Sequence, residues 1–250
     1  MPAAGTDASS TDEPRSGLRV EVLTVVFRVR IAGSAGDAGG RSPAHDGRAE
    51  LSVLLSEVSP GRWSLPGGDV GHDETLSTSA RRLVAETMDV RDIAHLEQLS
   101  VFSDPDRVPG IRTIASTYMG LVPSDASASL PEDAGWFAVD SLPEVVFDHA
   151  QIIDTARHRL AAKLSYTNIA FALAPKRFPM SELSEIYCAA LGYPVDTTNL
   201  LRILSRRAVV VSTGTVGKTG RAGGRPPALY AFADDELRVT DEFATLRPPM

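Results

Sequence analysis

The spacing of apolar residues divides this chain into two parts. Before residue 164, five runs rich in Val and Leu or in aromatic residues predict β-strands at residues 18–31, 49–58, 95–104, 112–122 and 135–143. Between the second and third strands apolar residues recur at a helical period, and one stripe consists of Leu76, Ala80, Leu83, Val84 and Met88. A further helix is predicted from residue 150 to about residue 163. The first part is therefore expected to be a mixed α/β domain.

The second part contains two short helical periods on either side of a Gly-Tyr-Pro sequence at residues 192–194. The buried face of the first helix consists of Leu183, Ile186, Tyr187, Ala190 and Leu191. Ser181 is expected to be the N-cap of this helix, and Gly192 is expected to end it.

The second of these helices is expected to start after the capping residue Asp196. Its inward face consists of Leu200, Ile203 and Leu204. Its outward stripe consists of Thr198, Arg202 and Ser205, with Arg206 beside it. Two runs at residues 208–214 and 227–232 predict the strands of a hairpin around the Gly-, Arg- and Pro-rich "TVGKTGRAGGRPP". Two helices joined by a tight turn and followed by a basic hairpin indicate a winged helix-turn-helix.

The charge distribution separates the same two parts. The whole chain has a formal net charge of −7, which argues against general affinity for nucleic acid. Residues 165–232, however, contain eight basic and three acidic side chains, a net charge of +5 that leaves −12 for the rest. A basic module joined to an acidic one suggests two separate tasks.

The composition is that of an ordinary globular protein, with 43% hydrophobic and 23% charged residues. No apolar run approaches the ~20 residues that span a bilayer, and the N-terminus lacks the pattern of a signal peptide. Cys188 is the single cysteine, so no internal disulfide can form. We expect a cytoplasmic protein with a disordered tail at residues 1–17, domains at residues 18–164 and 165–235, and a C-terminal tail at residues 236–250.

The stretch "GGDVGHDETLSTSARRLVAETMDV", residues 67–90, has the spacing of a known catalytic motif. It resembles the Nudix box of pyrophosphohydrolases, which reads Gly, any five, Glu, any seven, Arg-Glu-apolar-any-Glu-Glu-any-Gly-apolar. The matching positions are Gly68, Glu74, Arg82, Val84, Glu86 and Val90. The positions of the first helical Glu, the last Glu and the Gly are occupied by Leu83, Thr87 and Asp89.

These substitutions fall where the Nudix box binds metal. Its helix carries several carboxylates on one face, because Mg²⁺ at a pyrophosphate needs oxygen ligands and anionic charge. Glu86 is the one member of that set that remains. The resemblance gives Glu74 and Arg82 a scaffold role, a salt bridge from loop to helix. No catalytic residue, metal site or resident cofactor is expected, although residual hydrolysis of ADP-ribose stays open.

The order of the modules extends the resemblance to most of the chain, about residues 20–235. "FDHAQII", "SYTNIAFAL" and "GGRPPALY" are similar to segments of the Nudix-related transcriptional regulators, the NrtR family. The fold this implies is α+β, with an N-terminal Nudix-like α/β/α sandwich on a mixed sheet and a C-terminal winged helix-turn-helix. The function it implies is a dimeric repressor of NAD-biosynthesis genes that senses ADP-ribose or a related NAD metabolite and binds operator DNA.

The winged helix places its second helix in the major groove, where side chains reach base edges. Polar residues at the helix start and arginines along it suit phosphates and bases, and basic wing residues between glycines suit the DNA backbone. The expected DNA-binding residues are Thr197, Thr198, Asn199, Arg202, Arg206, Lys218, Arg221 and Arg225.

A dinucleotide-like effector needs an apolar or aromatic slot for its base and cations for its pyrophosphate. The candidates near the box are Arg28, Trp63, Phe102, Arg107 and Arg112. Each has an ordinary alternative, which is core packing for the aromatic residues and an exposed salt bridge for the arginines. His149 is expected to be structural.

Two other functions remain open on the sequence alone. One is an active Nudix hydrolase of ADP-ribose-like substrates with an accessory C-terminal module. The other is an interaction protein in which neither site is used. The loss of two helical Glu weighs against the first, and the basic wing weighs against the second.

Overall fold

The computed structural model describes residues 17–31, 48–88, 93–126, 130–217 and 226–242. Three expectations fall largely outside these residues. They are the N-terminal tail apart from Gly17, the C-terminal tail after residue 242, and the roles of Lys218, Arg221 and Arg225 in the wing.

The first domain is built on a seven-stranded mixed sheet. Its strands are β1 (Leu18–Arg30), β2 (Glu50–Ser59), β3 (Arg62–Ser64), β4 (Gly67–Asp69), β5 (His95–Phe102), β6 (Arg112–Leu121) and β7 (Ala134–Ala138). The main path runs β3-β2-β1-β6-β5, with β4 added to β1 and β7 to β2. β1 and β6 are parallel, whereas the other pairs are antiparallel. The predicted strands and the mixed sheet are confirmed.

One face of this sheet is covered by α1 (Leu76–Met88), the helix of the degenerate box. Val84 of α1 packs with Val26, Leu54 and Trp136 from three strands of the sheet. Side chains alternate between the two faces of a strand, so the even-numbered residues of β1 lie on this side. This face is the α1 face of the sheet.

The opposite face, here the α2 face, is covered by α2 (His149–Tyr166), which follows a short 3₁₀ helix at Val139–Ser141. Phe27 and Val53 of the sheet pack with Ile152 of α2 in one apolar cluster. The same cluster continues without a break into the second domain through Leu183 and Leu204. The helix α3 (Met180–Leu191) also contacts β1 and β2. The two domains therefore share one hydrophobic core.

The second domain has the order expected of a winged helix. After a 3₁₀ helix at Ile169–Ala172 come β8 (Phe178–Pro179), α3, α4 (Thr197–Arg206), β9 (Val210–Val216) and β10 (Ala228–Phe232). The three strands form an antiparallel sheet in the order β8-β10-β9. The hairpin strands and both helices of the sequence prediction are confirmed.

The turn between α3 and α4 is fixed by backbone and side-chain contacts. Gly192 ends α3 with φ 77°, a left-handed conformation that glycine adopts without steric cost. Beyond it, Val195 donates its N–H to Cys188 Sγ at 3.1 Å, and its carbonyl accepts from Ser184 Oγ at 3.0 Å. Asp196 caps α4 by accepting the N–H of Asn199 at 2.6 Å. These contacts fix the direction in which α4 leaves the turn.

One predicted helix terminus is wrong. The N-cap of α3 is Pro179, whereas Ser181 lies within the helix and is exposed. The reason is the strand β8, which keeps Phe178 and Pro179 extended until the helix starts at Met180. Because proline has no N–H and a restricted φ, it suits the boundary of a helix.

The helix α2 runs through the expected boundary between the two domains. The position between residues 164 and 165 falls within α2, whose last turn leads into the second domain. Residues 236–241, expected at the start of a tail, are hydrogen-bonded to this region. Thr240 donates its N–H to the carbonyl of Tyr166 at 2.7 Å, and Asn168 exchanges hydrogen bonds with the backbone of Glu236 and Arg238.

Candidate functional site

The degenerate box forms a strand, a loop and the helix α1, and an ion pair connects the loop to the helix. Arg82 donates from Nε and Nη2 to the two carboxylate oxygens of Glu74, both at 2.7 Å. Ser79 Oγ also donates to Glu74 at 2.6 Å. The hydrogen bonds from Arg82 and then from Ser79 lower the pKa of Glu74 to about 2. The expected scaffold salt bridge is present.

On α1, the face that binds metal in a Nudix box carries other side chains. Leu83 is half-buried and packs with Val22, Ala80 and Tyr118. Glu86, the remaining carboxylate, accepts a hydrogen bond from Arg82 Nη1 at 3.1 Å. In the described parts of the chain no three His, Cys, Asp or Glu side chains come together as a possible metal site. The side chain of Thr87 lies outside the described part of the chain.

The candidate effector residues Arg28 and Trp63 lie on opposite faces of the sheet. Arg28 is buried on the α1 face, with its guanidinium 4.5 Å from the centroid of Trp136. Trp63 is buried on the α2 face, where its ring stands at 60° to that of Phe137 with centroids 4.5 Å apart. The structure therefore does not bring these two candidates into one site, and Trp63 has the core-packing role that was its alternative.

The other three candidates, Phe102, Arg107 and Arg112, belong to the β5–β6 hairpin. Phe102 is half-buried against the α2-face core, and Arg112 donates to the carbonyl of Ser103 at 2.8 Å. Arg107, in the loop between the strands, reaches across the end of the sheet to two carboxylates. The hairpin thus brings these residues to one end of the sheet, although Arg107 has carboxylate partners there.

Arg107 is the centre of a buried ionic cluster. Its Nη1 donates to Glu21 of β1 at 2.6 Å, and its Nε and Nη2 donate to Asp148 at 2.9 and 2.8 Å. Its side chain is 1% exposed. Burial opposes the charged form, but the hydrogen bonds to Asp148 and Glu21 outweigh burial and raise the pKa of Arg107. The expected alternative for this arginine was an exposed salt bridge, whereas the observed one is buried.

The first turn of α2 lies beside the start of the box. His149 is buried, and its Nδ1 accepts the N–H of Leu65 at 3.0 Å. Burial lowers the pKa of His149 to about 4, so the ring is neutral at physiological pH and can accept this hydrogen bond. Its structural role is as expected. Phe147, two residues earlier, is exposed and has the left-handed φ of 51°, a feature that the sequence does not reveal.

The candidate nucleic-acid interface is the outer face of α4. Thr198, Asn199, Arg202 and Arg206 are exposed there, whereas Thr197 is half-buried at the helix start. Arg202 Nη2 donates to Asn199 Oδ1 at 2.6 Å, which holds the guanidinium over the first turn of the helix. The structure thus places these predicted residues on one surface, and their contact with DNA stays a prediction.

One basic residue near this face has a structural role. Arg207 follows α4, and its guanidinium donates to the carbonyl of Ser165 at 3.1 Å and to Asp241. This arginine therefore holds the C-terminal segment and the end of α2 to the end of α4. Arg207 is one of the eight basic residues counted in this module, and its partner Asp241 lies in the segment that was expected to be a tail.

The geometry is that of a Nudix domain with a damaged box, continuous with a winged helix. The family described as "NrtR DNA-binding winged helix domain" matches residues 170–232, and the NUDIX domain family matches residues 45–156. The "ADPR responsive transcriptional repressor NtrR" of Acinetobacter baylyi is 30% identical over 200 residues, which cover 74% of this chain and 77% of that protein. The chain belongs to the NrtR family.

Solved structures support the same assignment. Shewanella oneidensis NrtR is similar with a TM-score of 0.68 and 25% identity, over 85% of this chain and 93% of that one. The same protein in complex with a 27mer DNA matches with a TM-score of 0.66 and 27% identity over the same shares. A MutT/nudix family protein from Enterococcus faecalis, at 19% identity and a TM-score of 0.64, shares the fold over 87% of this chain and 89% of its own. No helix in the described ranges has the length and apolar character to cross a membrane.

Proposed function

We propose that this protein is a cytoplasmic, homodimeric transcriptional repressor that binds operator DNA through α4 and the wing, and that its Nudix domain senses ADP-ribose or a related NAD metabolite. The genes it controls are those of NAD biosynthesis, as the family resemblance implies. The Acinetobacter relative responds to ADPR by its name, and the Shewanella relative forms a complex with DNA. Both properties are carried over here as part of the proposal.

The exposed face of α4 is the observation that carries this proposal. An isolated surface helix with two arginines has an ordinary solvated role. Here, however, it is the second helix of a helix-turn-helix whose turn is fixed by Ser184, Cys188 and Asp196. Such a helix can present Asn199 and Arg202 to base edges, since these amide and guanidinium groups form paired hydrogen bonds with adenine and guanine. The fixed turn therefore sets the direction of α4, and side chains that can bind bases lie on its exposed face.

The contents of the box support sensing rather than turnover. Leu83 packs into the α1-face core, and Glu86 is engaged with Arg82, so the helix offers little anionic charge for a metal at a pyrophosphate. The Glu74–Arg82 bridge still holds the loop in place. A preserved loop beside a helix that keeps only one of its metal-binding carboxylates can bind a pyrophosphate-containing ligand and leave it intact.

The shared hydrophobic core connects the sheet of the Nudix domain to the helices that are proposed to bind DNA. The α2 face of the ligand-sensing sheet packs on α3, and α3 leads through a fixed turn into α4. A change at the sheet can therefore alter the position of the recognition helix, as a coupling between two sites requires.

The test uses a duplex that the wild-type protein selects from a random library. Fluorescence anisotropy measures its affinity with and without ADP-ribose, and a scrambled duplex of equal length is the control. We expect selective binding to the selected duplex and a change in that affinity with ADP-ribose. Failure to select any sequence would contradict DNA recognition. Efficient release of AMP and ribose 5-phosphate with Mg²⁺ would instead favour the hydrolase alternative.

Homodimerisation is tested separately by light scattering. A winged-helix monomer makes few base contacts, and two-fold pairing doubles them on a near-palindromic site. We expect twice the 26.6 kDa chain mass at micromolar concentration. A monomer that still binds the selected duplex with full specificity would contradict the dimer.

A further inference from the structure

Phe147 combines two features that proteins usually avoid in one residue. Its side chain is 54% exposed, although it is a large apolar ring. Its backbone has φ 51°, in the left-handed region that bulky L-residues rarely adopt and that glycine or asparagine would occupy at lower cost. Strain of this kind persists where the surrounding structure imposes it, and it clusters at ligand sites.

The surrounding structure imposes this conformation from both sides. Before Phe147, the carbonyl of Glu144 accepts the N–H of Trp63 at 2.9 Å, and Val146 donates its N–H to the Trp63 carbonyl at 2.8 Å. After Phe147, the carboxylate of Asp148 is held by two hydrogen bonds from buried Arg107. The chain is therefore fixed to β3 on one side and to the ionic cluster on the other. The residue between these anchors projects its ring into solvent.

The ring stands beside the start of the degenerate box. It meets His149 edge to face, with ring centroids 6.1 Å apart and planes at 68°. His149 in turn accepts the N–H of Leu65, which lies two residues before Gly67, the first residue of the box segment. The neighbouring strand ends carry exposed cationic groups, Arg19 paired with Asp69 and Arg62 paired with Glu144. An aromatic surface, a preserved box loop and nearby arginines thus lie at one end of the sheet.

We propose that Phe147 is the residue on which the planar base of the effector stacks. The inference rests on the proposed sensing of an adenine nucleotide. The ligand group that this position would take is a purine ring whose attached diphosphate reaches the box loop. Stacking on an aromatic side chain is open to any base, because every base has a π-face, and it contributes substantially to binding. It also gives a reason for the strained backbone, which keeps the ring away from the core and open to a ligand.

The test measures binding by calorimetry with three probes. Two probes, ADP-ribose and ADP, contain the base. The third, ribose 5-phosphate, lacks the base, and its affinity is measured by competition. The variants are Phe147→Ala, Phe147→Tyr and Phe147→Gly. Tyr193→Ala is the matched control, since Tyr193 is also an exposed aromatic residue, 58% exposed, but lies in the turn between α3 and α4.

We expect Phe147→Ala to weaken the binding of ADP-ribose and ADP by roughly 5- to 150-fold, the range of base stacking on an aromatic side chain. Ribose 5-phosphate should bind as to wild type. Phe147→Tyr should restore the affinity, and Tyr193→Ala should leave it unchanged. Phe147→Gly should lose affinity while its Tm rises, because glycine relieves the left-handed backbone. Opposite changes in affinity and Tm separate a ligand-binding ring from a merely structural one.

Two results would overturn the inference while leaving the proposed function intact. One is an unchanged affinity of Phe147→Ala for ADP-ribose that wild type binds. The other is an equal loss for ribose 5-phosphate, which would place the ring away from the base. If wild type binds neither ADP-ribose nor ADP, the effector assignment fails and this inference fails with it. DNA selection by the same protein then shows whether the rest of the proposed function survives.

Discussion

Acidification should destabilise this protein through one buried imidazole. His149 is 3% exposed, and its Nδ1 accepts a hydrogen bond from the backbone of Leu65. Its pKa falls from the ordinary 6.5 to about 4, chiefly because burial disfavours the charged ring. Protonation in the folded state would also convert the acceptor Nδ1 into a donor that faces another donor.

The sign and the size of the effect follow from linkage. The folded protein binds this proton less readily than the unfolded chain does. The contribution of His149 to the free energy of unfolding is therefore fully present above pH 6.5 and is lost as the pH falls towards 4. At 1.36 kcal/mol for each pKa unit the loss saturates at about 3 kcal/mol, and about 2 kcal/mol is gone by pH 5. Below pH 4 both states carry the proton, and this residue contributes no further loss.

The assay is urea unfolding between pH 7.5 and pH 4.5, followed by Trp fluorescence, for wild type and His149→Asn. Both tryptophans, Trp63 and Trp136, are buried in the first domain and report its unfolding. Asparagine keeps an acceptor for the N–H of Leu65 but does not titrate. The difference in unfolding free energy between the two proteins should therefore shift by about 2 kcal/mol in favour of the variant from pH 7.5 to pH 5. A difference that stays constant with pH would refute the reasoning.

Three further outcomes are expected. Arg107→Met should cost about 3–5 kcal/mol in unfolding free energy, since it leaves two carboxylates without their buried partner, whereas Arg112→Met should cost little; urea unfolding at neutral pH measures both. Arg202→Ala should lose about 1–3 kcal/mol on the selected duplex and much less on a scrambled one, and equal losses on both would make this residue a phosphate contact. Leu83→Glu with Thr87→Glu should gain some Mg²⁺-dependent hydrolysis of ADP-ribose, assayed by AMP release, and should lower Tm because Leu83 is half-buried; no gain would mean that more than carboxylates is missing.

Local spacing was sufficient to predict the parts of the site that lie close together in the chain. Glu74 and Arg82 are eight residues apart, and a helix that starts between them brings them together. The turn between α3 and α4 was foreseen for the same reason, since Gly192 and Asp196 act on neighbouring residues. Such features depend on helix and turn geometry and need no knowledge of the tertiary fold.

Contacts between distant segments could not be predicted in the same way. Arg107 meets Asp148 and Glu21 across 41 and 86 residues of sequence, and only the register of the sheet brings the three together. The same register decides that Arg28 and Trp63 face opposite sides. A single sequence gives the alternation of a strand but not which face a ligand would reach. Phe147 belongs to the segment "FDHAQII" but was not predicted as a binding residue, because backbone strain leaves no signal in residue type.

The apolar cluster shared by the two domains affects how the chain can fold while it is being synthesised. The sheet of the first domain is complete in sequence at Ala138, but one of its faces receives α3 only after Leu191 has emerged from the ribosome. Until then part of the α2 face has no covering helix, and exposed apolar surface of this kind invites aggregation. A nascent chain stopped before residue 180 should therefore be retained by chaperones or degraded. In this protein the DNA-reading module also completes the fold of the module that precedes it.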